Sequence, residues 1–181
     1  MKKMFLVVGM LVLASGIVLA GQTDTVNLTV TCRNLSVAIA ETAIGFGTVN
    51  VGSTGNISVS SATVTNDGNW NLDYEIECGN SAPDNWTPTG SAAPSTNTEF
   101  RLLALFNNDT QPASGDFTPA DDYVNNSARK STAAIFAGTQ DGDTVAPTDK
   151  LGLWFRVDAP TGSPTANQQT ITVTLTAQAA D

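Results

Sequence analysis

The chain contains no histidine, which removes every His-based catalytic triad and the commonest side-chain ligand of transition metals. Its carboxylates are the next candidates for chemistry. Asp73, Glu75 and Glu77 alternate with Leu72, Tyr74, Ile76 and Cys78. On a strand, carboxylates at i and i+2 stand about 6.6–7 Å apart along the backbone, inside the separation used for inverting glycoside hydrolysis. That reaction also needs one carboxyl raised in a cleft, and nothing in the pattern builds one. The acidic row therefore reads as a solvated sheet face. Asp141-Gly142-Asp143 and Asp121-Asp122 offer oxygens of the kind Ca²⁺ favours. Neither keeps the D-x-[DN]-x-[DN]-G spacing of a calcium loop, so both read as solvated turns. No cofactor is expected, with calcium retained as an option. Gly52-Ser53-Thr54-Gly55 lacks the spacing of a nucleophile elbow. Trp86 and Trp154, the latter beside Arg156, remain as platforms for a sugar ring or a partner surface. No catalytic residue is assigned, and the chain is not expected to be an enzyme.

Compartment follows from the N-terminus. Met1-Lys2-Lys3 is a short basic start, residues 4–20 are uncharged and apolar or small, and Val18-Leu19-Ala20 precedes Gly21. This is the build of a cleavable secretory signal peptide. The rival reading, an uncleaved anchor, meets a run at the short limit for a span and a small-residue end that suits cleavage. The expected organisation is a signal peptide at 1–20 and one domain at 21–181, secreted, extracellular or on the cell surface, with the periplasm as an option. No membrane span is expected after cleavage. Lys2 and Lys3 leave with the leader, so six basic residues face 17 acidic ones and the net charge falls from −9 to −11. Such a surface repels nucleic acid.

Cys32 and Cys78 are the only cysteines. Each ends an alternating stretch (Val26-Leu28-Val30-Cys32 and Trp70-Leu72-Tyr74-Ile76-Cys78) on its apolar side. In an oxidising compartment a Cys32–Cys78 disulfide is expected, worth on the order of 4 kcal/mol in the chain-entropy view. Two buried free thiols are the alternative. Two thiols without histidine do not make a zinc site.

The elements that position these residues are strands. Period-two alternation marks 26–32, 35–39, 70–78, 151–157 and 170–177, and 57–65 is rich in Val, Ser and Thr as solvated strands often are. The segment 70–78 is the clearest, with Trp70 on its core face. Asn66-Asp67-Gly68-Asn69 is turn chemistry that predicts an antiparallel pairing of 57–65 with 70–78. Phe100–Phe106 is continuously apolar, as a strand buried on both faces would be. Residues 133–137 are a weaker strand candidate, and 44–51 leads into a turn at 52–56. In 151–157, Leu151, Leu153, Phe155 and Val157 share the core face, which leaves Trp154 and Arg156 pointing outward. Two long loops fill 79–98 and 107–130. The fold class is all-β: an antiparallel β-sandwich of about eight to nine strands.

Several phrases carry a resemblance. Phe46-Gly47-Thr48-Val49-Asn50-Val51-Gly52 and Val64-Thr65-Asn66-Asp67-Gly68-Asn69 resemble the opening of bacterial immunoglobulin-like domains. Val157-Asp158-Ala159-Pro160 and the final Ile171–Thr174 strand fit the later part of that pattern. The resemblance spans about residues 44–177 and implies an Ig-like sandwich in an extracytoplasmic setting. A more distant similarity is to secreted filament subunits of the TasA- and camelysin-like, spore coat protein U-like and chaperone–usher pilin types. These imply a one-domain sandwich that assembles by lending a terminal strand, here 25–32 or 170–177. The expected function is a non-catalytic surface, matrix or filament subunit that self-associates through sheet edges and the Trp154/Arg156 face, or binds other surface proteins. The alternative is a carbohydrate- or calcium-dependent binding module.

Overall fold

The computed structural model describes residues 25–108, 110–162 and 165–181. The expected signal peptide lies outside these. The chain divides into two units, one ending at Thr31 and one running from Cys32 to Asp181. In the first, residues 25–31 form no strand and are exposed throughout. The alternation at 26–32 therefore does not become a strand. A pleated segment has no intrinsic hydrogen bonds and persists only when an edge pairs with it.

The second unit is all-β among the described residues, apart from a 3₁₀ turn at Ser114–Asp116. Its strands are β1 (Val37–Ile39), β2 (Asn56–Ile57), β3 (Ala62–Asn66), β4 (Leu72–Cys78), β5 (Thr87–Pro88), β6 (Glu99–Phe106), β7 (Tyr123–Val124), β8 (Arg129–Lys130), β9 (Lys150–Asp158) and β10 (Val173–Ala179). One sheet runs β1-β3-β9-β6-β5, with β2 also on β9 and β7 on β6; the other is β10-β4-β8. Every pairing is antiparallel except β5 with β6.

The inward faces of the two sheets make one core, which gives the β-sandwich-like arrangement its cohesion. Val64 of β3, Leu72, Tyr74 and Ile76 of β4, Phe100, Leu102 and Phe106 of β6, and Leu153 of β9 are buried in it. Residues alternate between faces on each strand, so β6 sends Leu102, Ala104 and Phe106 inward. Leu103 and Leu105 face the other way, into a second cluster with Phe117 and Trp154. The segment read as buried on both faces is indeed so. Leu151, Leu153, Phe155 and Val157 share the core face of β9 as expected.

Pairing across the 66–69 turn departs from expectation. Strands β3 and β4 do not form a hairpin; β3 pairs with β1 and β9, and β4 with β10 and β8. The chain crosses from one sheet to the other here, and a buried asparagine holds the crossing. Asn66 Nδ2 donates to the carbonyls of Trp70 (2.9 Å) and Val145 (2.8 Å), while its Oδ1 accepts from Gly68 N–H (3.0 Å). Sending the chain across lets Val64 and Leu72 face the same core from opposite sides, where a flat hairpin would put both in one sheet. Trp70 consequently falls outside the pleat. The residue is 41% exposed, and its ring lies under the Arg33 guanidinium, which is 4.4 Å from the ring centroid. It is not a core residue. Residues 133–137 form no strand and contribute only a bridge from Ala137 to Phe106.

Candidate interaction surface

The outer face of β9 was expected to present Trp154 and Arg156. Both do point away from the main core, but the 107–122 segment covers them. Trp154 is 4% exposed among Leu103, Leu105 and Phe117, and its indole N–H donates to the Asn108 carbonyl at 3.0 Å. A polar segment rich in Asn, Asp, Thr and Ser gave no sign in sequence that one phenylalanine, Phe117, would anchor it over a sheet. The open Trp154/Arg156 platform is therefore corrected to a second small core.

Arg156 belongs to a buried ion cluster. Asp158, fully buried, stands directly opposite Arg101 in the β6–β9 register. Its carboxylate accepts from Arg101 Nε (2.8 Å) and Nη2, from Arg156 Nε and Nη2 (3.3 and 3.2 Å), and from Gly55 N–H (2.6 Å). Arg156 Nη1 also donates to the Ser114 carbonyl at 2.9 Å. The only hint in sequence was an arginine inside the otherwise apolar Phe100–Phe106 run.

Trp86 is half-buried and packs against the main core, so it offers part of a ring rather than a platform. The acidic row divides. Asp73 is buried, 2.8 Å from Lys130 Nζ, and accepts from Thr144 N–H at 2.8 Å. Burial pushes its carboxyl up, but Lys130, the Thr144 N–H and neighbouring Asp143 together hold it below the usual range. Burial and the Asp73 carboxylate push Asp143 up instead. Glu75 and Glu77 remain partly exposed, and Glu75 accepts from Gln178 at 3.3 Å. The expected solvated face therefore begins only after Asp73, which is fixed by its ion pair.

Asp141 Oδ1 accepts the Asp143 N–H at 3.2 Å, an Asx-type turn. Asp122 is buried and accepts from Thr118 N–H (2.6 Å) and Phe136 N–H (3.0 Å). Burial raises its pKa to about 6 against those two bonds, with Asp121 adding to the rise. Among the described residues no group of three or more His, Cys, Asp or Glu side chains is placed to hold a metal ion.

The cysteines are unpaired: Cys32 is exposed and Cys78 buried. Geometry explains the departure from the expected disulfide. Asn69 Nδ2 donates to the Cys32 carbonyl at 2.9 Å, which places Cys32 before the first residue of β4, whereas Cys78 is the last residue of that strand. The strand alone separates them by ~20 Å at about 3.3 Å per residue, far beyond disulfide reach. Burial, with Glu77 nearby, pushes the Cys78 thiol up to about 12.

An apolar groove of about 320 Å³ opens where the two sheets part. Phe46, Leu102, Leu153 and Phe155 line one side, and Ile171, Val173 and Leu175 the other. Strand β10 borders it and is the edge of its sheet. Its register on β4 is continuous from Val173 opposite Cys78 to Ala179 opposite Leu72. Gly79 N–H donates to the Thr172 carbonyl at 3.1 Å. Hydrogen-bonding direction alternates along an antiparallel strand, so Thr174 and Thr176 also face β4. The main-chain groups of Val173, Leu175 and Ala177 point to the open edge. A seven-residue edge beside an apolar groove is what added strands recognise. Comparison with protein-family models, curated proteins and solved structures finds no match to this chain. Among the described residues no helix is long and apolar enough to cross a membrane.

Proposed function

We propose that this protein is an exported, non-catalytic structural subunit of a cell surface, matrix or filament, with an immunoglobulin-like sandwich that self-associates through a sheet edge. The observation that carries the reading is the free edge of β10 beside the apolar groove. Natural sheets usually blunt such edges with lysine, proline or a covering loop. Residues 170–179 contain none of these charges or prolines and keep strict alternation. The alternative of a carbohydrate-binding module draws less support, because Trp154 is covered and Trp86 is half-buried.

Sedimentation of the protein recovered from an export-competent host tests this. Oligomers that strengthen with salt are expected, since screening relieves the acidic repulsion. A Leu175→Lys variant places a charge at the groove beside the edge and should remain monomeric, with circular dichroism confirming its fold. A wild-type chain that is monomeric at every concentration and salt level would overturn the reading.

A further inference from the structure

We propose that the groove between the sheets binds a single-chain amphiphile, with the alkyl chain held between Phe155 and Leu175 and a cationic headgroup set against Glu41. This site is separate from the edge that self-associates. The unpaired main-chain groups of β10 lie in the plane of its sheet, whereas the groove opens between the two sheets.

Shape selects the chain. Ile171, Val173 and Leu175 line one wall at two-residue spacing, which makes that wall ~13 Å long at about 3.3 Å per residue. Spread over that length, the volume of about 320 Å³ leaves a cross-section of about 25 Å². One extended hydrocarbon chain has close to that cross-section.

Chemistry selects it again. Ala62, Leu102 and Leu153 are the most buried of the lining residues and carry no polar side-chain atom. Their strands pair with one another through the β3–β9–β6 ladder. A peptide lying inside the groove would leave its own N–H and C=O groups without partners; an alkyl chain has none to satisfy. Polar lining comes only from 41–42 and 168–170, outside the strands.

Charge selects the headgroup. Glu41 is the single ionisable group in the lining. It is exposed, and its carboxylate accepts from Thr63 N–H at 2.5 Å and from Thr63 Oγ1 at 3.1 Å. The Thr63 N–H holds it below the usual carboxylate range, so a fixed anion stands beside the groove at neutral pH. With a net charge of −9 on the chain, a carboxylate-headed chain is repelled and a quaternary ammonium is attracted.

The test is titration calorimetry of the secreted protein with octyl- and decyltrimethylammonium, decyl maltoside and decanoate. Each is used below its micelle concentration, with circular dichroism confirming the fold. One saturable site is expected, with decyltrimethylammonium bound most tightly and decanoate least. Each buried methylene tightens binding about fourfold, so the decyl chain should exceed the octyl by about fifteenfold. Glu41→Gln keeps an acceptor for Thr63 and should weaken the ammonium ligand by up to about fivefold, leaving decyl maltoside unchanged. Glu77→Gln makes the same charge change on β4 outside the lining and should alter neither ligand. Equal weakening by the two variants would reduce the effect to attraction by net charge and overturn the headgroup assignment. Affinity that does not differ between octyl and decyl chains, or the absence of a saturable site, would overturn the groove as an alkyl site. Sedimentation decides edge association independently of these outcomes.

Discussion

Asp158 of β9 faces Arg101 of β6 across the ladder, and the aspartate carboxylate, with no exposed surface, accepts Arg101 Nε at 2.8 Å. Arg156 completes the cluster from the same face, so two guanidiniums share one carboxylate. Removing the shared partner leaves two nearly buried cations together. Asp158→Ala should therefore destabilise by about 3–5 kcal/mol, the cost of breaking a buried pair from one side. Urea unfolding would measure this. A loss under about 1 kcal/mol would show that the cluster is hydrated and contributes little.

Asp122 clamps the 113–122 segment to Phe136, whose φ of +58° is an uncommon backbone setting for a bulky residue. Its pKa near 6 lies above the unfolded aspartate value, so the folded state holds the proton more tightly. The contribution of this group to stability is therefore full below about pH 4 and is lost as pH rises through 6, by about 2–3 kcal/mol. Comparing melting profiles of wild type and Asp122→Asn isolates the effect from other carboxylates. The difference between them should change across pH 4–6 and stay flat above it. A constant difference across that window would mean Asp122 is ionised throughout.

The two thiols should react differently with an aromatic disulfide reagent. Cys32 is exposed and should react at once; Cys78 is buried with its thiol raised to about 12 and should react only after unfolding. If neither reacted until a reductant was added, a disulfide would exist and the path of the chain around Cys32 would need revision.

Trp154→Ala should cost about 3–5 kcal/mol, the usual loss for a large buried aromatic, because the ring fills the space under Phe117 and its N–H holds Asn108. A surface platform would lose little on the same change. Urea midpoints of the two chains decide between them.

The sequence by itself determined the three long central strands and which of their faces is apolar, because pleating ties side-chain direction to parity within one segment. Leu72 to Cys78, Phe100 to Phe106 and Leu151 to Val157 were legible for that reason, the two-sided burial of β6 included. Only the tertiary structure decided what each face meets and which edge each strand finds, since those depend on residues far apart in the chain. Trp154 alternates outward as its parity requires, yet Phe117 closes over it from 37 positions away along the chain. The turn at 66–69 has hairpin chemistry, but burying Asn66 against Val145 sends β4 to the other sheet. Residues 26–30 carry the same alternation as β10 and form no strand, for alternation sets a face while pairing needs a partner. The groove beside β10 follows from the same limit, being a property of two sheets and not of any one segment.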